Sequence, residues 1–415
     1  MGFSRVACLC VLLSLFPGCG VVGGEREPMP ILSDSRATWV VRTQLTSRPR
    51  IDRVVEEAVA AGLNALIVQV RGRGDAYFRG GLEPPPPSLA ETTFDPLAHL
   101  IAEAHGRGIA VHAWVNANLV WNPARPNNDP RHLVNRHPEW LMAPESLAGD
   151  LLALPPSHPD FKRRLLAYVV ANAGSVEGLY TDPANEDYRK HLASVCGDIA
   201  ARYDVDGVHL DYIRYPNQAW GYSRGALDRF RVEVDRELSA EDRRDMSERL
   251  ARHPLVYTRR YPVRWGNFRR RAVSRMVEQV SGAVRRARPG ITVSAAVFPD
   301  ISIARDDKLQ EWPEWMTRGW LDVACPMNYA TAEQRELFDR RTHAGVGARG
   351  PGRVWMGIGA WRLPVAETVA RVRAARAAGA NGVVLFSHGG LQGQRGAFTT
   401  LRREVFGPPT RVSQE

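Results

Sequence analysis

The chain has 415 residues, 44% of them hydrophobic and only five of them cysteine. This length suits one large α/β domain, and so few cysteines exclude a disulfide-framework protein. The formal net charge is +10, carried mostly by arginine. Because the arginines are spread along amphipathic helical patterns and no nucleic-acid module is recognisable, we expect no nucleic-acid partner. A basic surface on an exported protein would suit an anionic polymer or lipid head groups, although solvated helix faces explain most of the charge.

Residues 1–19 have the pattern of a bacterial export signal. Arg5 supplies a short basic region, residues 6–16 form an apolar stretch too short to cross a bilayer, and Pro17 and Gly18 break it. A small residue directly before Cys19 resembles a lipobox and predicts lipidation of that cysteine. Secretion with cleavage elsewhere is the alternative. We therefore expect an exported protein, either periplasmic or anchored as a lipoprotein in the cell envelope.

The rest of the chain divides into three parts. Residues 20–35 are predicted to be a Gly/Pro-rich tether, residues 36–406 one domain, and residues 407–415 a C-terminal tail. Cys196 and Cys325 are the cysteines of the domain and are predicted to be buried free thiols, with one disulfide between them as the alternative. No zinc-ligand spacing is present, so neither a metal nor a cofactor is expected. The oligomeric state is not indicated.

Strand-like apolar runs alternate with helical patterns along the domain. The predicted strands are 39–45, 65–70, 109–115, 208–213, 291–298, 321–325, 354–358 and 383–386. The clearest helical patterns are 51–61, 96–106 with Asp95 as N-cap, 185–203, 225–250 and 264–288. Eight strand–helix units predict a single-domain (β/α)₈ TIM-type barrel, with a doubly wound open sheet as the alternative. Long insertions, 117–183 and 217–263, follow the third and fourth strands and are expected to wall a cleft.

The fourth predicted strand carries the strongest functional pattern. Val208 and Leu210 alternate with His209 and Asp211, and Pro216 ends the run. A carboxylate at the carboxyl end of a barrel strand has the usual position of an active-site residue. The alternative is that Asp211 forms an ion pair and has no chemical role.

Several segments, taken together in order and spacing, resemble the glycosyl-hydrolase-like family 10 proteins, a bacterial barrel family. The segments are Arg36-Ala-Thr-Trp39, Gln69-Val-Arg71, Gly74-Asp-Ala-Tyr77, Asp95-Pro-Leu97, Glu103-Ala-His105, His112-Ala-Trp114 with Asn116, Tyr203 to Pro216, Gly319-Trp-Leu-Asp322 and Pro326-Met-Asn-Tyr329. The resemblance implies a glycoside hydrolase. The family includes an exported lipoprotein that cleaves the peptide-free glycan strands of peptidoglycan. The resemblance therefore implies that the substrate is peptidoglycan glycan or a related polysaccharide. The chain departs from the family at Leu210, where many members have Asp, and after Asn116 and Ala296.

Glycoside hydrolysis normally uses two carboxyl groups across the scissile bond, about 5–5.5 Å apart for retention and roughly 6.5–9.5 Å for inversion. Asp211 is predicted to be one of them. Asp75, in a glycine-rich loop after the second strand, or Asp307, after the fifth, is predicted to be the other. The alternatives are an Asx-turn at Asp75 and helix capping near Asp307. Asp206 and Asp322 begin their strands and are interpreted as structural.

Aromatic and polar residues recur at the predicted strand ends, where sugar rings and hydroxyls could be bound. The predicted substrate-binding residues are Arg71, Trp114, Asn116, His209, Tyr212, Arg214, Tyr215, Asn328, Tyr329, Trp361 and His388. Arg71 and Arg214 would bind an anionic substituent such as the lactyl carboxylate of muramic acid, or alternatively pair with Asp75 and Asp211. His209 would bond Asp211 or a sugar hydroxyl, or be a satisfied interior histidine.

Two other functions fit parts of the pattern. A carbohydrate-binding barrel without catalysis would explain the missing acidic residue beside Asp211. A metal-dependent hydrolase would use His112, His209 and His388, but these lack ligand spacing.

Overall fold

The computed structural model of the protein describes residues 26–122 and 129–407. Cys19 and the rest of the predicted export signal lie outside the described residues. The strands are β1 (Ser35–Val40), β2 (Ala65–Arg71), β3 (Ala110–Asn116), β4 (Leu119–Trp121), β5 (Leu179–Tyr180), β6 (Gly207–Asp211), β7 (Thr292–Val297), β8 (Val323–Asn328), β9 (Arg353–Ile358) and β10 (Gly382–Leu385).

Eight of these strands form a closed parallel barrel in the order β1, β2, β3, β6, β7, β8, β9, β10 and back to β1. The predicted (β/α)₈ barrel is therefore confirmed. The helices are α1 (Arg48–Ala61), α2 (Pro96–His105), α3 (Leu133–Arg136), α4 (Glu145–Leu152), α5 (Pro159–Ala171), α6 (Glu186–Arg202), α7 (Arg224–Asp235), α8 (Ala240–Arg252), α9 (Val256–Arg260), α10 (Pro262–Ala287), α11 (Ile301–Asp306), α12 (Trp312–Thr317), α13 (Arg335–Gly347), α14 (Val365–Ala377), α15 (His388–Gln392) and α16 (Ala397–Leu401).

Local sequence explains where the helices begin. Asp95 caps α2 as predicted, since its side chain accepts hydrogen bonds from Leu97 N and Ala98 N. Asn185 caps α6 through Tyr188 N at 3.0 Å, and Ser239 caps α8 through Asp242 N at 3.1 Å. This last cap explains why the helical pattern predicted over 225–250 is two helices.

Two predicted strands end earlier than their apolar patterns suggest. β1 ends at Val40, and Arg42–Leu45 form a 3₁₀-helix directly after the carboxyl end of the strand. The prediction of strand through residue 45 was therefore wrong, because Arg42 N donates to the side chain of Gln69 and not to a neighbouring strand. β6 ends at Asp211, since Tyr212 has a left-handed backbone with φ 52°.

The barrel interior and its amino-terminal end are closed by side chains. Trp39, Ile67, Trp114 and Trp355 pack inside the barrel, and both domain cysteines are buried and free, as predicted. At the amino-terminal end, Asp206 accepts hydrogen bonds from Val111 N and from Met29 N, both at 2.7 Å. The segment before β1 is thereby fixed to the end of the barrel opposite the strand carboxyl ends.

The two insertions lie where they were predicted, after β3 and β6. The first contains α3 to α5 and the antiparallel pair β4–β5. The second contains α7 to α9, which pack with α10 in a separate cluster around Phe230 and Trp265. Within the described part of the chain, no helix combines the length and apolarity that crossing a bilayer requires.

Candidate active site

A cavity of about 310 Å³ opens at the carboxyl ends of the barrel strands. This is the end at which (β/α)₈ enzymes carry their active sites. Its wall is formed by Trp39, Val41, Arg42, Gln69, Arg73, Trp114, Asn116, Leu119, Asp211, Tyr212, Arg214, Ala296, Met327, Tyr329 and Phe386. The first insertion contributes Leu119 to this wall. The second contributes no described residue, so the expectation that both insertions wall the cleft holds for the first alone.

Asp211 lies on the cavity wall at the last position of β6 and is 9% exposed. Burial raises the pKa of its carboxyl group to about 6, although the nearby Arg214 guanidinium acts in the opposite direction. Tyr212 N donates to Asp211 Oδ1 at 2.6 Å. A carboxyl group held in one orientation with a pKa near neutrality is suited to donate a proton and later to accept one.

A hydrogen-bond network crosses the ends of the first three barrel strands. Trp114 Nε1 and Gln69 Nε2 donate to Asn116 Oδ1 at 2.9 and 3.2 Å. Because both of these groups are donors, the atom between them is the amide oxygen of Asn116. Arg42 Nη1 in turn donates to Gln69 Oε1 at 2.8 Å. The network fixes the polar side chains of Arg42, Gln69 and Asn116 on the same wall as Asp211.

Aromatic rings form much of the remaining wall. Trp39 meets Tyr329 and Phe386 edge to face, at centroid distances of 6.4 and 5.9 Å. Trp361 is not one of the wall residues, but its ring centroid lies 4.9 Å from that of Tyr329. Trp361 is 44% exposed. These rings offer apolar faces of the kind that cover pyranose sugars.

The cavity wall carries more positive than negative charge. Of the described residues, Arg42, Arg73, Arg214 and one carboxyl group, that of Asp211, lie on it. Arg214 stacks over the ring of Tyr212 at 4.7 Å and lies 3.5 Å from a carboxylate oxygen of Glu177, outside the wall. The site therefore favours a ligand with an anionic group.

Arg71 was predicted to bind substrate, but its side chain is fully buried away from the cavity. It forms a bidentate ion pair with Glu83, with both contacts at 2.6 Å, and donates to the carbonyl oxygens of Asn116 and Ala117. The structure therefore gives Arg71 the role of holding the chain where β3 ends.

His209 is also buried, below the cavity. Its Nε2 accepts from Trp39 Nε1 at 3.1 Å and its Nδ1 lies 2.9 Å from Ser294 Oγ. Burial, with a smaller contribution from His112, lowers the pKa of His209 to about 3. His209 thus occupies the position of a satisfied, neutral interior histidine, which was one of the alternatives.

Three further predicted binding residues are buried outside the cavity wall. Tyr215 donates to Asp182 Oδ1 at 3.1 Å, and Asn328 Nδ2 donates to the carbonyl oxygen of Phe338 at 2.9 Å. His388 lies 3.2 Å from a carboxylate oxygen of Glu57. The site thus brings together Trp114, Asn116, Tyr212, Arg214 and Tyr329, but not these three.

Neither predicted second carboxylate lies on the cavity wall. Asp75 Oδ1 accepts from Arg73 N at 2.6 Å and so stabilises its own loop, although the donor lies two residues before Asp75 and not two residues after it as in an Asx-turn. Asp307 is at the end of α11, where it pairs with Lys308 at 2.8 Å.

The histidines of the metal-dependent alternative do not converge. His112 packs against Trp355 near the amino-terminal end of the barrel, while His209 and His388 have the separate partners described above. Among the described residues, a group with metal-ligand spacing occurs at Asp52, His99 and Glu103, and it includes none of these three histidines.

Sequence reasoning missed several wall residues. Arg42 was hidden because the strand was predicted to continue through it. Trp39 and Gln69 belonged to the segments that carry the family resemblance, and their position near strand ends was the available signal. Phe386 was assigned to the last strand without a role.

The sequence model of the Glycosyl hydrolase-like 10 family matches residues 31–173 and 167–367. The chain is 23% identical over 299 residues to the glycosyl hydrolase YngK of Bacillus subtilis (strain 168), which covers 67% of this chain and 48% of YngK. It is 20% identical over 329 residues to the glycosyl hydrolase DigH of Escherichia coli (strain K12), which covers 72% of this chain and 62% of DigH. The chain thus spans about half to three-fifths of the length of these relatives.

Solved structures share the fold at low sequence identity. The PgaB (BpsB) glycoside hydrolase domain from Bordetella bronchiseptica aligns with a TM-score of 0.62 at 14% identity, covering 90% of this chain and 99% of that domain. The catalytic domain of β-amylase from Paenibacillus polymyxa aligns with a TM-score of 0.57 at 11% identity, covering 91% and 99%. The two family matches together cover most of the barrel, and the chain therefore belongs to the Glycosyl hydrolase-like 10 family.

Proposed function

We propose that the protein is an exported glycoside hydrolase that cleaves a polysaccharide, most specifically the glycan strands of peptidoglycan. The observation that carries this proposal is the buried carboxyl group of Asp211, whose pKa is raised to about 6, in an aromatic-lined cavity at the carboxyl end of the barrel. Membership of a glycosyl hydrolase-like family supports the same reaction class.

Asp211 acts as the general acid. Its protonated carboxyl group gives a proton to the glycosidic oxygen, so the departing sugar leaves as a neutral alcohol. Tyr212 N donates a hydrogen bond of 2.6 Å to Asp211 Oδ1 and so fixes the orientation of the carboxyl group. Trp114 and Tyr329 cover the sugar faces, and Asn116 binds a hydroxyl or amide group.

The anionic groups of the substrate are bound by Arg42 and Arg73. Arg42 Nη1 donates to the uncharged side-chain oxygen of Gln69 at 2.8 Å. Because Gln69 carries no charge, this contact does not neutralise the Arg42 guanidinium. In peptide-free peptidoglycan the negative groups are the lactyl carboxylates of muramic acid. A guanidinium binds such a carboxylate with two parallel hydrogen bonds.

The deciding experiment incubates the protein with purified, peptide-free cell-wall glycan and measures new reducing ends and fragment masses. We expect cleavage by the native chain and loss of cleavage in Asp211→Asn. Asp245→Asn is the matched control, because Asp245 is a surface carboxylate on α8 that pairs with Arg249. Cleavage by Asp211→Asn at the native rate would remove Asp211 from the mechanism.

The location of the protein is the second part of the proposal. Cys19 becomes lipidated and anchors the protein in the cell envelope. Cys19 precedes Arg26 by seven residues, which span about 25 Å at most when extended, and the segment beginning at Arg26 meets the barrel at Asp206, opposite the cavity. Anchoring would therefore leave the cavity facing away from the membrane. Membrane fractionation of cells producing the native chain or Cys19→Ala tests this, with release of the variant as the expected result.

A carbohydrate-binding barrel without catalysis is the second candidate. It is favoured because Asp211 is the one carboxyl group on the cavity wall within the described part of the chain. Its signature is retention of the protein on peptide-free glycan with no new reducing ends after long incubation.

A further inference from the structure

Among the residues that the structure describes, one carboxyl group lies on the cavity wall, where glycoside hydrolysis normally uses two. Asp211 is the single acidic residue among the described residues that form the wall. Residues 123–128 of the first insertion, which lie outside the described residues, read Pro-Ala-Arg-Pro-Asn-Asn and include no acidic residue. The insertion therefore cannot supply the second carboxylate from that segment.

Two acidic residues that contact wall residues are engaged in other interactions. Asp75 caps its own loop by accepting from Arg73 N at 2.6 Å. Glu177 accepts from the Tyr180 hydroxyl at 2.7 Å and lies 3.5 Å from Arg214 Nη2, so its charge supports the guanidinium on the wall. Burial acts to raise the pKa of Glu177, but Arg214 and Tyr180 hold it below its ordinary value.

Two deeply buried carboxylates of the same region are also committed to the fold. Glu83 binds Arg71 and lies 3.0 Å from His191 Nε2. Asp182 accepts from Tyr215, from Ser223 Oγ at 2.6 Å and from Ala184 N at 2.9 Å. Neither lies on the cavity wall, so neither can attack a sugar carbon there.

A reaction with one carboxyl group needs its nucleophile from another source. We propose that the substrate supplies it, through the carbonyl oxygen of the 2-acetamido group on the sugar whose glycosidic bond is cleaved. The inference rests on the proposed function and narrows its substrate class to glycans of 2-acetamido sugars. Substrate-assisted hydrolysis of this kind is a recognised exception to the two-carboxylate scheme.

The steps balance with Asp211 alone. Its proton passes to the glycosidic oxygen as the C1–O bond breaks, and the bonding electrons go to that oxygen. A lone pair of the acetamido oxygen forms a bond to C1, giving a cyclic oxazolinium ion beside the Asp211 carboxylate. Water then attacks C1 and gives a proton to Asp211, while the C1–acetamido bond breaks and returns its electrons to the amide. One water is consumed, and two inversions at C1 give retention.

The first test varies the nucleophile in the substrate. Peptide-free glycan is N-deacetylated and re-acylated to give the acetyl, monofluoroacetyl, difluoroacetyl and trifluoroacetyl forms, and kcat and KM are measured for each with the full chain. Each fluorine weakens the carbonyl oxygen as a nucleophile, so we expect kcat to fall stepwise, by about 10²-fold overall, while KM changes little.

The outcomes of this series separate the inference from the proposed function. Equal kcat values across the series would overturn substrate participation while leaving the glycoside hydrolase intact. No cleavage of the fully acetylated form would reject the proposed function and the inference with it.

The second test looks for a protein nucleophile directly. Asp75→Ala and Glu177→Ala are assayed with azide, which enters the space of a missing carboxylate and forms a glycosyl azide. We expect no glycosyl azide from either variant, whatever its residual rate. Its formation would identify that residue as the nucleophile or base and overturn the inference.

The third test uses a stable mimic of the cyclic intermediate. The thiazoline derived from N-acetylglucosamine should inhibit competitively and bind at least about 10²-fold more tightly than N-acetylglucosamine, as analogues of high-energy species do. Equal binding of the two compounds would count against the cyclic intermediate.

Discussion

Asn116 and Asp211 are direct partners across the neighbouring parallel strands β3 and β6. The backbone carries the pairing one residue further, since Ala117 N donates to the carbonyl oxygen of Asp211 at 2.6 Å. The carbonyl oxygens of Asn116 and Ala117 in turn accept from the buried guanidinium of Arg71. The position of the candidate acid is therefore fixed by the end of β3 and by the Arg71–Glu83 ion pair behind it.

Asp211→Asn should abolish cleavage and stabilise the fold at neutral pH. The raised pKa, about 6 against 3.8, means that the folded state disfavours the ionised form by about 3 kcal/mol. Below pH 3.8 the native carboxyl group is protonated in both states and carries no penalty. The penalty develops as the pH rises to about 6 and is complete above it. Thermal unfolding of both proteins at pH 4 and pH 7.5 should show a much larger gain in Tm for the variant at pH 7.5, because at pH 4 the penalty has only begun to develop. A gain of equal size at both values would contradict this.

The dependence of kcat/KM on pH should show a fall on the alkaline side alone. As Asp211 loses its proton above pH about 6, kcat/KM should fall about tenfold per pH unit. If no second carboxylate must be ionised, no matching rise on the acid side should occur within the range in which the protein stays folded. Initial rates on a soluble, peptide-free glycan fragment, with circular dichroism at each pH, measure this. A bell-shaped profile would indicate a second titrating group.

Arg42→Gln and Arg73→Gln should weaken the binding of carboxylate-bearing glycan. A hydrogen bond to a charged group contributes about 1.5–3 kcal/mol, so KM should rise by about tenfold or more with kcat changed less. The comparison substrate is an N-acetylglucosamine oligomer, which lacks the lactyl group and should show little change. Arg402→Gln, an exposed arginine at the opposite end of the chain, is the control. Equal losses on both substrates would argue against a carboxylate-binding role.

Glu83→Gln should destabilise the protein strongly. Removing one partner leaves the fully buried guanidinium of Arg71 uncompensated, at a cost of about 3–5 kcal/mol. Guanidinium chloride unfolding of the native protein, Glu83→Gln and the double variant Arg71→Met/Glu83→Leu measures the effect. The double variant should recover much of the loss, because it removes both charges. A double variant as unstable as Glu83→Gln would show that the charge imbalance is not the cause.

The sequence by itself determined the barrel and the importance of one strand. Apolar runs such as 65–70 alternate with helical patterns, and this periodicity depends only on residues that are neighbours in the chain. The position of Asp211 at the end of a buried strand followed from the same alternation. Asp95 as a helix cap needed only the order of residues 95–98.

Only the tertiary structure decided which strand-end residues share the cavity. Arg71 and Arg214 look equivalent in the sequence, yet Arg71 is turned inward because Glu83, twelve residues later, meets it in the core. Arg42 reaches the wall because the chain turns after Val40 and bonds Gln69 on the next strand. Ion pairs and side-chain hydrogen bonds form between residues distant in the chain, so the number of carboxyl groups facing the cavity, and with it the chemistry, became visible only once the barrel had closed.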